Sequence, residues 1–232
     1  MNVRDSEVIC GLLEKEGYRF TDEPTNADII LFNTCSVRQH AEDKVWSEIG
    51  RFKKGQSPKY NSAMALAGTV PIIGVVGCMA QNYKDEIFKR APEVDFVVGP
   101  SDIAKIPEIV KELCKKQGQS PKNRDSPCFL YERKIWETDG GIRPEEIYHT
   151  GFYQDKEHGF VVISEGCSNF CSYCVVPYVR GELRNRNYKD ILREIEEAIE
   201  KGITKITLLG QNVNAYVSDT IRNTQYEFQW CL

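Results

Sequence analysis

Three closely spaced cysteines are the residues of this sequence with the clearest chemical potential. Cys167, Cys171 and Cys174 are separated by three residues and then by two, so their thiolates can converge on one metal centre. A 4Fe–4S cluster held by three thiolates keeps one iron open to chelate a small molecule. With this spacing, that molecule is typically S-adenosylmethionine. Phe170 and Tyr173 lie between the cysteines, and we expect them to shield the cluster from water.

Zinc and a disulfide are the weaker interpretations of this loop. Structural zinc normally has four ligands in two pairs, and no fourth Cys or His follows Cys174 at short range. A disulfide requires an oxidising compartment, and the polar start of the chain, residues 1–5, does not resemble a secretion signal. The nine cysteines of the chain therefore favour metal ligation in a reducing compartment, with zinc as the alternative.

The composition restricts the classes of function. The chain has 232 residues, which suits one large or two small domains, and its 41% hydrophobic and 28% charged residues are typical of a soluble globular protein. The formal net charge of −4 excludes a basic field over the whole chain, so we expect any contact with RNA to be local. No apolar run approaches the length of a membrane span.

The first half alternates helices with short apolar strands, which predicts an α/β fold with a flavodoxin-like, doubly wound parallel sheet. We predict strands over residues 27–33, 71–76 and 96–98, and helices over 5–17, 41–52, 84–90 and 102–116. Cys35 and Cys78 each follow the carboxyl end of a predicted strand, the edge where such sheets bind ligands. A lone cysteine is more often a buried small hydrophobe, so the sequence leaves both roles open.

The second half reads as the start of a barrel. A predicted strand over 160–164 leads into the cysteine loop, a helix follows over 187–201, and another strand covers 205–209. An α/β barrel needs roughly 200 residues, so we expect an incomplete one. The predicted organisation is an N-terminal domain over 1–116, a polar linker over 117–152 and an incomplete core domain over 153–232.

Several blocks of the sequence resemble the radical S-adenosylmethionine methylthiotransferases. Within that family the chain is most similar to the tRNA 2-methylthio-N6-dimethylallyladenosine synthases, over about residues 1–218. Beyond the cysteine loop and its continuation Val175–Gly181, the matching blocks are MNVRDSE at 1–7, NTCSVR at 33–38 with AEDKV at 41–45, GCMAQ at 77–81, and LLGQNVNAY at 208–216. The last block is close to a signature of the tRNA-modifying branch.

The resemblance implies an enzyme with two 4Fe–4S clusters. Its radical cluster, on Cys167, Cys171 and Cys174, would bind S-adenosylmethionine at the open iron and cleave its sulfonium. The resulting 5′-deoxyadenosyl radical would take a hydrogen from C2 of an N6-isopentenyladenosine beside the anticodon. The resemblance also places Cys35 and Cys78 among three ligands to an auxiliary cluster that carries or donates the methylated sulfur. It further implies that Gln211 and Asn212 contact cofactor or substrate, with a structural amide role as the alternative.

The same resemblance implies the partners and the setting. These are tRNA, an electron donor such as a flavodoxin or ferredoxin, no membrane, a monomer and a cytoplasmic location. The first of the three auxiliary cysteines of the family lies just before its Met-Asn pair, which is Met1-Asn2 here, so we expect the auxiliary site to lack one ligand. Because half the barrel and the small RNA-binding domain are also expected to be absent, a catalytically incomplete iron–sulfur-binding fragment is one alternative. Methylthiotransfer to another tRNA adenosine or to a protein is the other.

A basic cluster follows the cysteine loop and has two interpretations. Its members are Arg180, Arg184, Arg186, Lys189 and Arg193. On the edge of a groove they could contact tRNA phosphates. Alternatively, they form a solvated patch paired with neighbouring glutamates at 182, 194 and 196.

Overall fold

The computed structural model describes residues 1–24, 27–36, 39–51, 71–118 and 134–218. The described α-helices are α1 (Asn2–Lys15), α2 (Gln39–Arg51), α3 (Cys78–Tyr83), α4 (Glu86–Arg90), α5 (Ile106–Gly118), α6 (Val176–Arg180) and α7 (Tyr188–Glu200). The strands are β1 (Ile29–Asn33), β2 (Ile72–Val76), β3 (Phe96–Val98), β4 (Ile135–Glu137), β5 (His158–Val162), β6 (Ser164–Glu165), β7 (Arg184–Asn185) and β8 (Lys205–Leu209). Short 3-10 helices cover Pro100–Lys105, Glu145–Thr150 and Val213–Ala215.

A parallel sheet organises the first half, which confirms the predicted α/β class. The strands lie in the order β1-β2-β3-β4, and every neighbouring pair is parallel. All five residues of β2 are buried, as its unbroken apolar sequence predicts for a central strand covered on both faces. The register places Asn33, the last residue of β1, directly beside Val76, the last residue of β2.

Helices cover both faces of this sheet. On one face, Ile72 and Val76 of β2 pack against apolar residues of α1 and α5. On the other face, Ile73 and Val75 pack against α2, α3 and α4. The alternation of side chains along β2 thus divides its apolar residues between two cores. Gly74 lies in the middle of β2, and a Cβ there would collide with the ring of Phe96.

Two predicted helices begin or divide differently in the structure. The helix predicted over 84–90 is preceded by α3, so Cys78 is the first residue of a helix, and Lys84 with φ of 49° separates α3 from α4. The helix predicted over 102–116 divides into a 3-10 turn, Pro100–Lys105, and α5. Pro107 explains the division, because proline is tolerated only in the first turn of an α-helix.

Residues 134–152 belong to the predicted linker and contribute to the packed structure. Strand β4 extends the sheet beside β3, and the 3-10 helix Glu145–Thr150 buries Ile147 and Tyr148. Residues 119–133 lie outside the described part of the chain. The division of the chain into domains stays a prediction.

The second half contains a parallel β-α-β unit, consistent with part of a radical S-adenosylmethionine fold. Strands β5 and β8 pair in parallel, and α7 connects them across one face. The side chain of Asn187 accepts a hydrogen bond from the Lys189 backbone and so caps α7. The short antiparallel pair β6–β7 encloses the cysteine loop. None of the described helices is long and apolar enough to cross a membrane.

Candidate functional site

The loops that carry Cys35 and Cys78 are neighbours at the carboxyl edge of the sheet. The Thr34 backbone donates to Val76 O at 3.2 Å, and the Met79 backbone donates to Thr34 O at 3.2 Å. Gly77, with φ of 88°, makes this approach sterically feasible, because a Cβ would lie 2.5 Å from the side-chain oxygen of Asn33. Cys78 is 3% exposed and Cys35 is half-buried. The structure therefore brings together two loops that the sequence places after the carboxyl ends of two separate strands.

The amino-terminal end of α1 lies at the same edge. Asn33 donates from its side-chain amide to Asn2 O and to the hydroxyl of Ser6, both at 2.9 Å. Burial lowers the pKa of the Met1 amino group, and the carboxylate of Asp5 opposes this shift. The two hydrogen bonds from Asn33 hold the start of α1 against the sheet edge that carries the two cysteine loops.

A buried carboxylate also connects the two cysteine loops. Glu42 of α2 is 3% exposed and accepts hydrogen bonds from the Tyr83 hydroxyl, at 2.7 Å, and from the Ser36 hydroxyl. The hydrogen bond to Glu42 raises the pKa of Tyr83. Since Ser36 follows Cys35 and Tyr83 ends the helix that Cys78 begins, Glu42 fixes one loop relative to the other.

The three-cysteine loop is held at its base and exposed at its tip. Gly166 has φ of 74°, and a Cβ there would collide with the carbonyl of Glu182, so glycine is required where the loop begins. The Cys167 backbone donates to Gly181 O at 3.0 Å, which closes the loop onto the residue after α6. Cys167 and Cys174 are half-buried, whereas Cys171 is exposed.

The aromatic residues of the loop point largely into solvent. Tyr173 is 91% exposed and Phe170 is 54% exposed, with the Phe170 ring edge-on to Tyr178 at 6.1 Å. These rings therefore form no closed apolar wall over the cysteines, in contrast to the shielding expected from the sequence.

The donor set on this loop has the chemistry that a 4Fe–4S cluster requires. Cys167, Cys171 and Cys174 all follow the end of β6, and none of them forms a disulfide. A 4Fe–4S cluster bound by these three thiolates would have one iron without a protein ligand. Across the described ranges, no three or more His, Cys, Asp or Glu side chains are gathered as metal ligands. The structure thus places the three thiols on one loop without drawing them together.

Gln211 and Asn212 lie just beyond the carboxyl end of β8, and both are half-buried. Gln211 Oε1 and Ser164 Oγ are buried without a hydrogen-bond partner among the described residues. Gly210 packs closely on Ser164, since a Cβ on Gly210 would lie 2.5 Å from the Ser164 hydroxyl. Buried polar atoms that lack a partner can hydrogen-bond to a polar ligand.

Sequence reasoning missed a buried ionic network between the two halves of the chain. Its members are Arg4, Asp5, Glu7, Arg143, Glu165, Arg180, Arg186 and Glu194. The sequence did contain a signal for it: Arg4 and Asp5 each precede an apolar residue of α1 by four positions. Both charges therefore share a helix face with the buried Val8 and Ile9.

Asp5 is the centre of this network. It is 2% exposed and accepts from Arg143 at 2.8 Å and from Arg180 at 2.6 Å. Burial alone raises the pKa of the carboxyl, but the two guanidinium groups outweigh it and lower the pKa of Asp5 to about 2. Asp5 is therefore ionised at neutral pH.

The network corrects both interpretations of the basic cluster for two of its members. Arg180 and Arg186 are buried, so they are neither a solvated patch nor free to contact phosphates. Arg186 pairs with Glu145 and, at 2.6 Å, with Glu194. Arg193 is exposed and pairs with Asp190 on its own helix.

Two contacts carry the network to the cysteine sites. The Nε of Arg180, the last residue of α6, donates to the sulfur of Cys78 at 3.2 Å. Arg143 pairs with Glu165 at 2.7 Å, and Glu165 also accepts from the Tyr148 hydroxyl at 3.0 Å. Because Glu165 lies two residues before Cys167, one set of buried charges reaches both cysteine regions.

Comparison with known proteins gives matches in both halves. Residues 1–99 match the family described as "Uncharacterized protein family UPF0004", and residues 161–225 match the Radical SAM superfamily. Three similar proteins carry the name tRNA-2-methylthio-N(6)-dimethylallyladenosine synthase. The protein from Dictyoglomus thermophilum is 36% identical over 94% of this chain and 44% of its own length. The proteins from Geobacter sulfurreducens and Bordetella pertussis are 39% and 40% identical, and each match covers 93% of this chain and 43% of the relative. The chain therefore spans less than half the length of these relatives.

Proposed function

Because this chain belongs to the radical S-adenosylmethionine methylthiotransferase family, we propose that it forms the cluster-binding part of an enzyme that methylthiolates tRNA. The contact between Arg180 and Cys78 is the observation that carries this proposal. It joins the helix after the three-cysteine loop to the cysteine edge of the sheet, as a reaction between two cofactor sites requires. The names of the relatives supply the chemistry.

Cys167, Cys171 and Cys174 would hold the radical 4Fe–4S cluster. When bound, this cluster supplies the electron that cleaves S-adenosylmethionine. Gln211 and Asn212 would bind the cofactor or the substrate at the same edge, and the unpaired Oε1 of Gln211 supports that role.

Cys35 and Cys78 would hold the auxiliary cluster that carries the sulfur. Their loops are already linked by backbone hydrogen bonds, which supports a ligand pair preorganised by the sheet. The buried position of Cys78 keeps water from its sulfur and leaves Arg180 as its neighbour.

The proposed substrate is C2 of N6-isopentenyladenosine next to the anticodon of tRNA, as the names of the relatives suggest. The proposed electron donor is a flavodoxin or a ferredoxin. We further propose that the protein acts in the cytoplasm as a monomer.

Anaerobic reconstitution followed by iron and sulfide analysis tests this function. We expect about eight irons per chain if both cysteine sets bind a cluster, and about four if only the radical loop does. Cys171→Ala should abolish the part of the electron paramagnetic resonance signal that S-adenosylmethionine perturbs. Cys114→Ala is the matched control, because Cys114 is an exposed thiol on α5 outside both sites.

The reconstituted protein is then incubated with a reductant, S-adenosylmethionine and an anticodon stem-loop that contains isopentenyladenosine. Mass spectrometry of the nucleosides reports whether the methylthio group is added. Stoichiometric zinc, or no stable cluster, would refute the proposed function and leave a folded protein without this chemistry.

A further inference from the structure

We propose that Cys35 and Cys78 form a reversible dithiol–disulfide pair in the protein without a bound cofactor, so that this sheet edge responds to the thiol redox state of its surroundings. A disulfide needs only two sulfur atoms, and the structure supplies both as thiols. The inference goes beyond the proposed function and does not depend on it, because the reaction uses only these two side chains and a small oxidant. A closed disulfide also withdraws both thiols from any other ligand.

One backbone hydrogen bond brings the two cysteines to the spacing of a disulfide. The Met79 N–H that donates to Thr34 O at 3.2 Å belongs to the peptide unit between Cys78 and Met79. Thr34 O belongs to the peptide unit between Thr34 and Cys35. The Cα atoms of both cysteines are therefore attached to peptide units that are hydrogen-bonded to each other. Backbones paired in this way lie about 4.8 Å apart, and a disulfide joins Cα atoms about 4.4–6.8 Å apart.

A buried carboxylate holds the two loops in this position. Glu42 accepts hydrogen bonds from the hydroxyls of Ser36 and Tyr83. Ser36 is the neighbour of Cys35, and Tyr83 ends the helix that begins at Cys78. Because the loops are fixed relative to each other, the effective concentration of one thiol at the other is high. This favours a bond between the two cysteines over a lasting mixed disulfide with a small molecule.

The two thiols differ in exposure, which gives them different roles in the reaction. Cys35 is half-buried, whereas Cys78 is 3% exposed and its sulfur accepts a hydrogen bond from the Nε of Arg180 at 3.2 Å. A low-molecular-weight disulfide such as glutathione disulfide therefore reaches Cys35 first. The buried Cys78 is left to attack the sulfur of Cys35, as a resolving cysteine does beside an accessible one.

The reaction consists of two successive thiol–disulfide exchanges. The Cys35 thiolate attacks one sulfur of the small disulfide, forms a mixed disulfide and releases the first small thiol. The Cys78 thiolate then attacks the Cys35 sulfur, forms the bond between the two cysteines and releases the second small thiol. The chain loses two electrons and two protons, which convert the small disulfide into two thiols. An excess of the small thiol reverses both steps.

Oxidation of the full, metal-free chain in buffers of glutathione and glutathione disulfide tests the proposal. The reaction is stopped with acid, the remaining thiols are alkylated, and tryptic peptides are analysed by mass spectrometry. Trypsin places Cys35 on the peptide 20–38 and Cys78 on the peptide 60–84, and each peptide contains a single cysteine, so their linkage is unambiguous. We expect this linked pair to be the main disulfide outside the three-cysteine loop, and dithiothreitol to remove it.

Single variants test the two roles. Cys78→Ser should trap glutathione on Cys35, whereas Cys35→Ser should leave Cys78 unmodified because its sulfur is buried. Cys114→Ser, at an exposed thiol on α5, is the matched control and should leave the yield of the linked pair unchanged. Oxidation in concentrated urea removes the preorganisation of the loops, so the share of the linked pair should fall by about tenfold or more.

The outcomes separate this inference from the proposed function. The disulfide is refuted if glutathione accumulates on Cys35 of the folded protein without the linked pair, or if the linked pair is no more abundant in the folded protein than in urea. Either result leaves the proposed function standing, because reconstitution with iron and sulfide tests that function separately. A chain that binds no iron but forms the linked pair would refute the proposed function and support the disulfide.

Discussion

The two cysteine regions of this protein are built in opposite ways. Cys78 is buried at the end of a central strand, and its loop is joined to that of Cys35 by backbone hydrogen bonds and by the carboxylate of Glu42. Cys171 is exposed on a loop that is held by the backbone hydrogen bond from Cys167 to Gly181 and by one within the loop from Cys174 to Cys171. A parallel sheet fixes the first region, whereas the second depends on a few contacts at its base.

This difference shows how the chain can combine a rigid site with an accessible one. The sheet fixes its cysteines through strand register, which does not change without unfolding. The exposed loop leaves Cys171 accessible to solvent. The buried charges around Asp5 connect the two regions, so changes there should have the largest consequences.

Asp5→Ala should break this connection and produce the largest effect. It leaves Arg143 and Arg180 buried without their shared partner, which costs about 3–5 kcal/mol of unfolding free energy. Urea unfolding of the cluster-free protein measures the loss. The matched control is Glu48→Ala, which breaks an exposed pair with Arg51 and should cost no more than about 1 kcal/mol. Equal losses in the two variants would contradict the connecting role of Asp5.

The same carboxylate should give the protein a specific acid sensitivity. The pKa of Asp5 is about 2 in the folded protein against 3.8 for an ordinary aspartate. A lowered folded pKa stabilises the protein fully above the unfolded value, and the contribution disappears as pH falls from about 4 to about 2. We expect about 2 kcal/mol from this residue. Urea unfolding of wild type and Asp5→Asn at pH 5 and at pH 2 measures this contribution. If both proteins lose the same unfolding free energy between the two pH values, the prediction is refuted.

Gly74→Ala should disturb the rigid region from within. The added methyl group collides with the ring of Phe96 across neighbouring strands, and overpacking of this kind costs about 1–3 kcal/mol. Thermal and urea unfolding report the loss. Gly141→Ala is the control, because a Cβ at Gly141 has no neighbour within 4 Å and its stability should barely change. A Gly74→Ala protein as stable as wild type would show that β2 can shift under Phe96.

The smallest effect should come from the cysteines themselves in the cluster-free protein. Cys78→Ala removes a buried sulfur and should cost about 1 kcal/mol, while Cys171→Ala at an exposed position should stay within about 0.5 kcal/mol. Urea unfolding of both variants under reducing conditions tests this order. The reverse order would mean that the three-cysteine loop, and not the sheet edge, contributes more to stability.

Local sequence patterns were enough to predict most of the strands and helices. The apolar run at 71–76 predicted the buried strand β2, and the spacing of Ile191, Ile195 and Ala198 predicted the amphipathic helix α7. Strand β4 was missed, because its three residues follow a polar, turn-rich segment and carry an exposed tryptophan, Trp136. A short edge strand such as β4 is stabilised mainly by its pairing with β3, so its own sequence carries no clear strand pattern.

The candidate site also has one part that the sequence could predict and one part that depends on the tertiary structure. Cys167, Cys171 and Cys174 could be proposed as one ligand set from sequence, because residues on one short loop are close together in any fold. The pairing of the Cys35 and Cys78 loops could only be suggested, since it depends on β1 and β2 being neighbours in register. The resemblance of both halves to one family then suggested which reaction these cysteines would serve.

The sequence by itself determined the α/β class, the three-cysteine loop and the kinship to methylthiotransferases, because each is written in local spacing or contiguous motifs. Only the tertiary structure decided which charged residues are buried and which of them pair with each other. Asp5 and Arg180 are 175 positions apart, and the sequence gives no reason to join them. Burial makes the pairing obligatory, since an unpaired charge away from water is far too costly, and the partner is whichever opposite charge the packed helices bring within reach.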